Sequence, residues 1–156
     1  MRRESTRCER CKPNSTPRYY LVAMQVMLRF TRHILGMPIY WQPWIALLFL
    51  TNMAAVFFLP RAEASVVLAG LFVGALLQMG LFARFGFVRL LGLGHFHWLV
   101  MIAWLVTRLD SIRGEGLFYN WVVAVVVVCG LSLVIDIIDV ARYLRGEREP
   151  TIVLDA

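Results

Sequence analysis

Charge is scarce in this chain. Only 17% of its 156 residues are Asp, Glu, Lys or Arg, against ~25% in a soluble domain. Hydrophobic residues make up 60% and the mean hydropathy is +0.68. A soluble globule of this length still exposes about 30% of its unfolded area, too much to hide so apolar a composition. A soluble enzyme and a disordered chain are both excluded, and a small multi-pass membrane protein is predicted.

Cysteine is nearly absent as well. Cys8, Cys11 and Cys129 form no disulfide framework, because Cys129 sits inside an apolar run, far from any thiol partner. Cys8-x-x-Cys11 has the spacing of half a zinc site, but no second CxxC exists and the nearest histidine is His33. No nucleophile–base pair, HExxH, phosphate loop or dinucleotide fingerprint is present. No secretory signal is apparent: the first apolar stretch, Tyr19–Leu28, is too short to span and has no small-residue cleavage site after it. Met24, Met27 and Met37 leave the point of initiation open.

What charge there is lies unevenly. Residues 1–36 hold Arg2, Arg3, Arg7, Arg10, Lys12, Arg18, Arg29 and Arg32 against Glu4 and Glu9, which accounts for the whole net charge of +6. A nucleic-acid reading would need that charge on a folded surface with base-contacting partners. Beside so apolar a chain it reads as a cytoplasmic anchor for anionic lipid.

A helix needs ~20 apolar residues to cross the hydrocarbon core. Four segments meet that length, at about 41–59, 64–83, 88–106 and 117–141. Trp41 and Trp44 open the first at interface depth, Pro43 fits its first turn, and Pro60 ends it. The third is the weakest, with Arg89, His95, His97, Gly92 and Gly94 in its first half. It is expected as a helix whose first turns sit among headgroups, Arg89 snorkelling outward. The expected fold is an all-α up-down bundle of four transmembrane helices over residues 38–148, with a short tail at 149–156.

Basic residues orient it. With the N-terminus inside, the eight basic residues of the leader join Arg84, Arg89, Arg142, Arg145 and Arg148 on the cytoplasmic side, thirteen in all; Arg61, Arg108 and Arg113 remain outside. Both termini are therefore expected in the cytoplasm. Residues 1–17 are polar and expected to be disordered. In residues 18–37, Arg18, Gln25, Arg29 and Arg32 share one helical stripe, which suits an amphipathic helix lying in the interface.

Several polar residues are candidates for chemistry. Cys129, Ser132, Asp136 and Asp139 are spaced 3, 4 and 3 and form one stripe of the last helix. A carboxylate near a helix centre in lipid costs ~2.5–3.5 kcal/mol, so Asp136 and Asp139 need partners. Arg84, Arg89, Arg142 and Gln78 lie at the same depth. Two readings follow: a proton or cation relay, or an ion-pair clamp that fixes helix register. The clamp is preferred, because the stripe stops at Cys129 where a conduction path should continue. His95 and His97, two apart, point about 200° from each other on a helix and cannot share one metal there; they are expected to bond headgroups or water. Gly70-x-x-x-Gly74 marks a close-packed helix face, and Asn52 needs a partner across the bundle.

The stretches Gly86-Phe-Val-Arg-Leu-Leu-Gly-Leu-Gly-His95 and Leu133-Val-Ile-Asp-Ile-Ile-Asp-Val-Ala-Arg142-Tyr-Leu-Arg-Gly-Glu147 resemble a group of uncharacterised small four-span inner-membrane proteins of proteobacteria. The resemblance covers residues 38–148. It implies bacterial origin and inner-membrane topology, and no activity. The functional expectation is a protein without a catalytic site or cofactor: an accessory, assembly or structural subunit, with a membrane-protein partner or a second copy as its company. A small transporter or proton-coupled channel built on Asp136 and Asp139 is the alternative. A haem or quinone redox subunit using His95 or His97 is more distant.

Overall fold

A computed structural model describes residues 18–148; Cys8 and Cys11 lie outside it. The described chain is helical, without strands. It runs α1 (Arg18–Leu35), α2 (Gln42–Met53), a first 3-10 segment (Ala54–Phe58), α3 (Ala62–Phe85), a second 3-10 segment (Arg89–His95), α4 (Trp98–Ile112) and α5 (Leu117–Leu144). Three runs are long and apolar enough to cross a membrane: Ala62–Phe85, Arg89–Ile112 and Leu117–Leu144. Gln42–Phe58 is apolar but shorter. Large hydrophobics such as Phe57, Phe72, Leu76, Val100, Leu131 and Val134 face outward. In water such a surface would aggregate; against lipid tails it carries no such penalty.

Two elements depart from the sequence expectation. The stretch expected as one helix at 41–59 is α-helical only to Met53 and then tightens into 3-10 turns that end before Pro60. The stretch expected at 88–106 begins instead as a seven-residue 3-10 helix, and the α-helix proper starts at Trp98 and continues to Ile112. Gly92 and Gly94 explain the second. An α-helix gains little from glycine, whereas both glycines here are in close approach. A Cβ on Gly92 would come within 2.9 Å of the Asp136 Cβ, and one on Gly94 within 2.6 Å of the Gln78 Cγ.

The core runs along the bundle axis. Ala55, Val67, Leu105, Val122, Val125 and Cys129 are fully enclosed. Asn52 is buried among them and donates through Nδ2 to the Leu48 carbonyl at 2.9 Å and to Cys129 Sγ at 3.4 Å. Gly70 and Gly74 let α3 approach the α4 region closely, with Met101 Sδ 2.9 Å from the Cβ position of Gly70 and His97 Cε1 3.2 Å from that of Gly74. The small-residue stripe thus serves packing within this chain.

The two ends of the bundle differ. At one, Arg61 pairs with Glu115 and Arg108 with Glu63, and Phe58 stacks on Trp121 at 4.8 Å. Trp121 donates its indole N–H to the Thr51 carbonyl at 2.9 Å. At the other end α1 closes against the bundle. Phe30 meets Phe82 edge-on at 5.4 Å, and His33 stacks on Phe87 at 5.4 Å. Arg29 and Arg32 stay exposed on the polar stripe of α1, as do Tyr20, Met24, Met27 and Leu28 on its far apolar side.

Candidate functional site

The second 3-10 segment builds the site. A 3-10 helix turns 120° per residue, so side chains three apart eclipse. Arg89, Gly92 and His95 therefore stand in one column, and that column faces α5. On α5, Asp136 and Asp139 are one turn apart and share a face. The two columns meet as a ladder. Arg89 Nη1 donates to Asp139 Oδ1 at 2.8 Å, His95 Nδ1 lies 2.8 Å from Asp136 Oδ2, and Gly92 sits between with no side chain to hold the rungs apart. A second column, Leu91, Gly94 and His97, faces α3: Leu91 packs in a cluster with Phe82, Gly94 abuts Gln78, and His97 Nε2 lies 2.7 Å from the Gly70 carbonyl.

Hydrogen bonding assigns roles to the imidazoles. An ionised Asp136 only accepts, and in that state Nδ1 of His95 carries the shared proton. Nε2 of a neutral His95 is then an acceptor, and the Gln78 Nε2 amide donates to it at 3.0 Å. Ser132 Oγ stands 3.5 Å from the same Asp136 oxygen. The imidazole stacks on Trp98, centroids 4.2 Å apart. His97 donates from Nε2 to the Gly70 carbonyl, which leaves its buried Nδ1 as a bare acceptor. The expectation that these histidines bond headgroups or water is overturned: both bond inward. Arg89 likewise turns inward to Asp139 instead of snorkelling outward.

The expected cluster comes together in part. Gln78, Arg89, Asp136 and Asp139 converge. Arg142 does not reach either aspartate by hydrogen bond; its Nη2 pairs with Glu147 at 2.8 Å. Arg84 stays apart, exposed and over the Phe85 ring. Asp136, the deeper carboxylate, thus takes a histidine where an arginine was expected. The environment is graded: the side chains of His95 and Asp136 are 13% and 15% exposed, those of Arg89 and Asp139 24% and 36%. Glu147, on the surface beyond α5, closes the outer edge 3.6 Å from Arg89 Nε. Its arginine neighbours, Arg142 first, hold its carboxyl below the usual carboxylate range.

Inside this ladder lies a cavity of about 450 Å³. Its floor is Gln78, His95, Ser132 and Asp136, its outer rim Arg89, Asp139 and Arg142, and its facing wall comes from Phe30 and Ile34 of α1, Trp44 of α2 and Trp41 just before α2. The size falls in the ~300–1,000 Å³ range of small-molecule sites, which combine apolar walls with a few polar groups. Toward the far end of the bundle the path closes. Beyond Ser132 come the Asn52–Cys129 contact and the enclosed Val125 and Val122.

Among the described residues no group of three or more His, Cys, Asp or Glu is placed to hold a metal ion. A haem would need an axial imidazole nitrogen. Nε2 of His95 is bonded by Gln78 and Nε2 of His97 by the Gly70 carbonyl, and the remaining unbonded nitrogen of the two rings, His97 Nδ1, is buried. No protein-family model, curated protein or solved structure matches the chain.

Proposed function

We propose that this chain is a four-span inner-membrane protein, both termini cytoplasmic, that binds a small amphipathic molecule in a cavity open at its cytoplasmic end. It acts without a catalytic site, as an accessory protein. The cavity floor carries the proposal: a hydrogen-bonded chain of Asp136, His95 and Gln78, set against an apolar aromatic wall. A pure clamp has no use for such a space. Gln42–Phe58 supports the fourth crossing because its seventeen residues (42 to 58) include five in 3-10 turns, which rise ~2.0 Å each where α-helix rises 1.5 Å. Thirteen basic residues against three support the orientation.

Thiol labelling tests both parts. In a background with Cys8 and Cys11 changed to Ser, Ile135→Cys on the cavity wall should react with a charged methanethiosulfonate applied from the cytoplasmic side. Val125→Cys, in the enclosed core, should not. Labelling of Ile135→Cys from the periplasmic face alone, or not at all, would refute the proposal. Reporter fusions after Glu149 should read cytoplasmic and those near Gly114 periplasmic.

A structural subunit is the second reading, favoured by the Arg89–Asp139 rung. It predicts that Ile135→Cys is protected and that Asp136→Asn alters stability alone. A transporter would use the same cavity as one of two facing states, which requires the enclosed Val122–Cys129 stretch to open.

A further inference from the structure

The charges that line the cavity cancel in sum but not in place. Arg89 is matched by Asp139 and Arg142 by Glu147. Asp136 has an imidazole, not a guanidinium, as its donor. Elements α1, α2 and α3 contribute no titratable side chain to the lining; the 3-10 segment gives Arg89 and His95, and α5 gives Asp136, Asp139 and Arg142. Of the two lining carboxylates only Asp139 meets a guanidinium, and Arg142 turns to Glu147 outside the lining. Asp136 is the carboxylate without a guanidinium partner, and its surroundings are drier than those of the outer pairs. Oδ1 of Asp136 makes no hydrogen bond to any described residue, while Oδ2 takes both His95 and Ser132.

A lone carboxylate charge in a largely apolar cavity attracts one positive charge. A second proton on the pair is one way to supply it. The wall offers another. Phe30, Trp41, Trp44 and Phe87 all line the space, and aromatic faces attract cations, desolvated ones most strongly. A hydrated metal ion would gain nothing from such a wall, and a neutral amphiphile would leave the charge unmatched.

We infer that the cavity takes a lipophilic organic cation, whose positive centre lies against Asp136 and whose apolar groups lie among Phe30, Trp41, Trp44 and Phe87, in exchange for the second proton of the Asp136–His95 pair. The exchange conserves charge: the proton leaves to water as the cation arrives, and the pair keeps its first proton on His95 Nδ1. Gln78 follows this proton. With His95 doubly protonated, Nε2 becomes a donor and the Gln78 amide must turn to offer its oxygen; when the cation is bound, it turns back. The inference rests on the cavity proposed above and adds the class of its occupant.

The test uses tetraphenylphosphonium as probe, with the full-length protein in nanodiscs and binding read by titration calorimetry. Neutral triphenylphosphine oxide is the control. Expected is saturable phosphonium binding that weakens about tenfold per pH unit once the pair holds its second proton, with a proton released per cation in weakly buffered solution below that point. Asp136→Asn should weaken binding by about tenfold or more, the size of one partly desolvated charge pair; Asp139→Asn should change it by less than about threefold. The pH series on the unmutated protein decides the matter if Asp136→Asn fails to fold. Equal binding of the neutral oxide, or phosphonium binding indifferent to both pH and Asp136, would overturn the cation. No phosphonium binding while Ile135→Cys still labels would overturn it too, and leave the cavity standing. Absence of labelling as well would remove the cavity itself.

Discussion

Arg89 and His95 stand six residues apart and yet face the same helix, each on its own aspartate of α5. In an α-helix six residues turn the direction by about 240°. In the 3-10 segment they make two full turns, and the pair realigns. The site therefore depends on a backbone choice as much as on its side chains.

Gly92 is the residue that choice depends on. Its Cβ position is 2.9 Å from the Cβ of Asp136 and 3.1 Å from its Cα, so the obstacle is partly backbone. Gly92→Ala should destabilise the protein by about 1–3 kcal/mol in a detergent or denaturant unfolding series. Gly80→Ala is the control, because nothing lies within 4 Å of that position; it should be neutral or stabilising by up to ~1 kcal/mol on helix propensity.

The outer rung should behave as a partly exposed ion pair. Asp139→Asn should cost about 1 kcal/mol in the same unfolding measurement. The exchange Arg89→Asp with Asp139→Arg should recover part of that loss, since the attraction depends on opposite signs. A double variant less stable than both single variants would show that the rung is steric.

At the far end the pair is lopsided. The Glu63 side chain is 5% exposed and that of Arg108 46%. Glu63→Gln frees an arginine that can turn to water, for a loss of about 1 kcal/mol. Arg108→Gln leaves an enclosed carboxylate with only its own backbone N–H and the charge of Arg61 and should cost more, about 2 kcal/mol. Thermal unfolding of the two variants side by side checks the order, and equal losses would contradict it.

Glu147 gives a pH dependence with a definite sign. Its carboxyl is lowered in the folded protein by its arginines, Arg142 first and Arg89 after it. A lowered carboxyl binds fewer protons folded than unfolded, so its contribution is complete above the ordinary carboxylate range and is lost as pH falls through the lowered value. The melting temperature from pH 6 to pH 3 should therefore fall less steeply in Glu147→Gln than in the unmutated protein. Identical slopes would show that the Arg142 contact carries no stability.

The apolar runs were readable as long apolar helices, three of them of membrane-crossing length, because lipid leaves few alternatives to an apolar stretch of that length. The aspartate stripe was readable too, since period alone aligns Asp136 with Asp139. Periodicity failed where the backbone changed period. Read at 100° per residue, Arg89 points away from His95, and Gly92 and Gly94 look like weak points of a helix. Only the opposing α5 and α3 surfaces show them to be contact points. Glu63 was hidden for another reason: it stands in the first turn of α3 close to Arg61, and its partner Arg108 lies 45 residues on. The partner of Asn52 was foreseeable in kind, as a group across the bundle, but nothing in the sequence singled out Cys129.

The second 3-10 segment also has a mechanical side. Seven residues in 3-10 geometry rise about 14 Å, and in α geometry about 10.5 Å. Rewinding Arg89–His95 would shorten the third crossing by some 3–4 Å and swing His95 about 120° away from Asp136. In this segment the length of the run and the His95–Asp136 contact are therefore set by one backbone geometry.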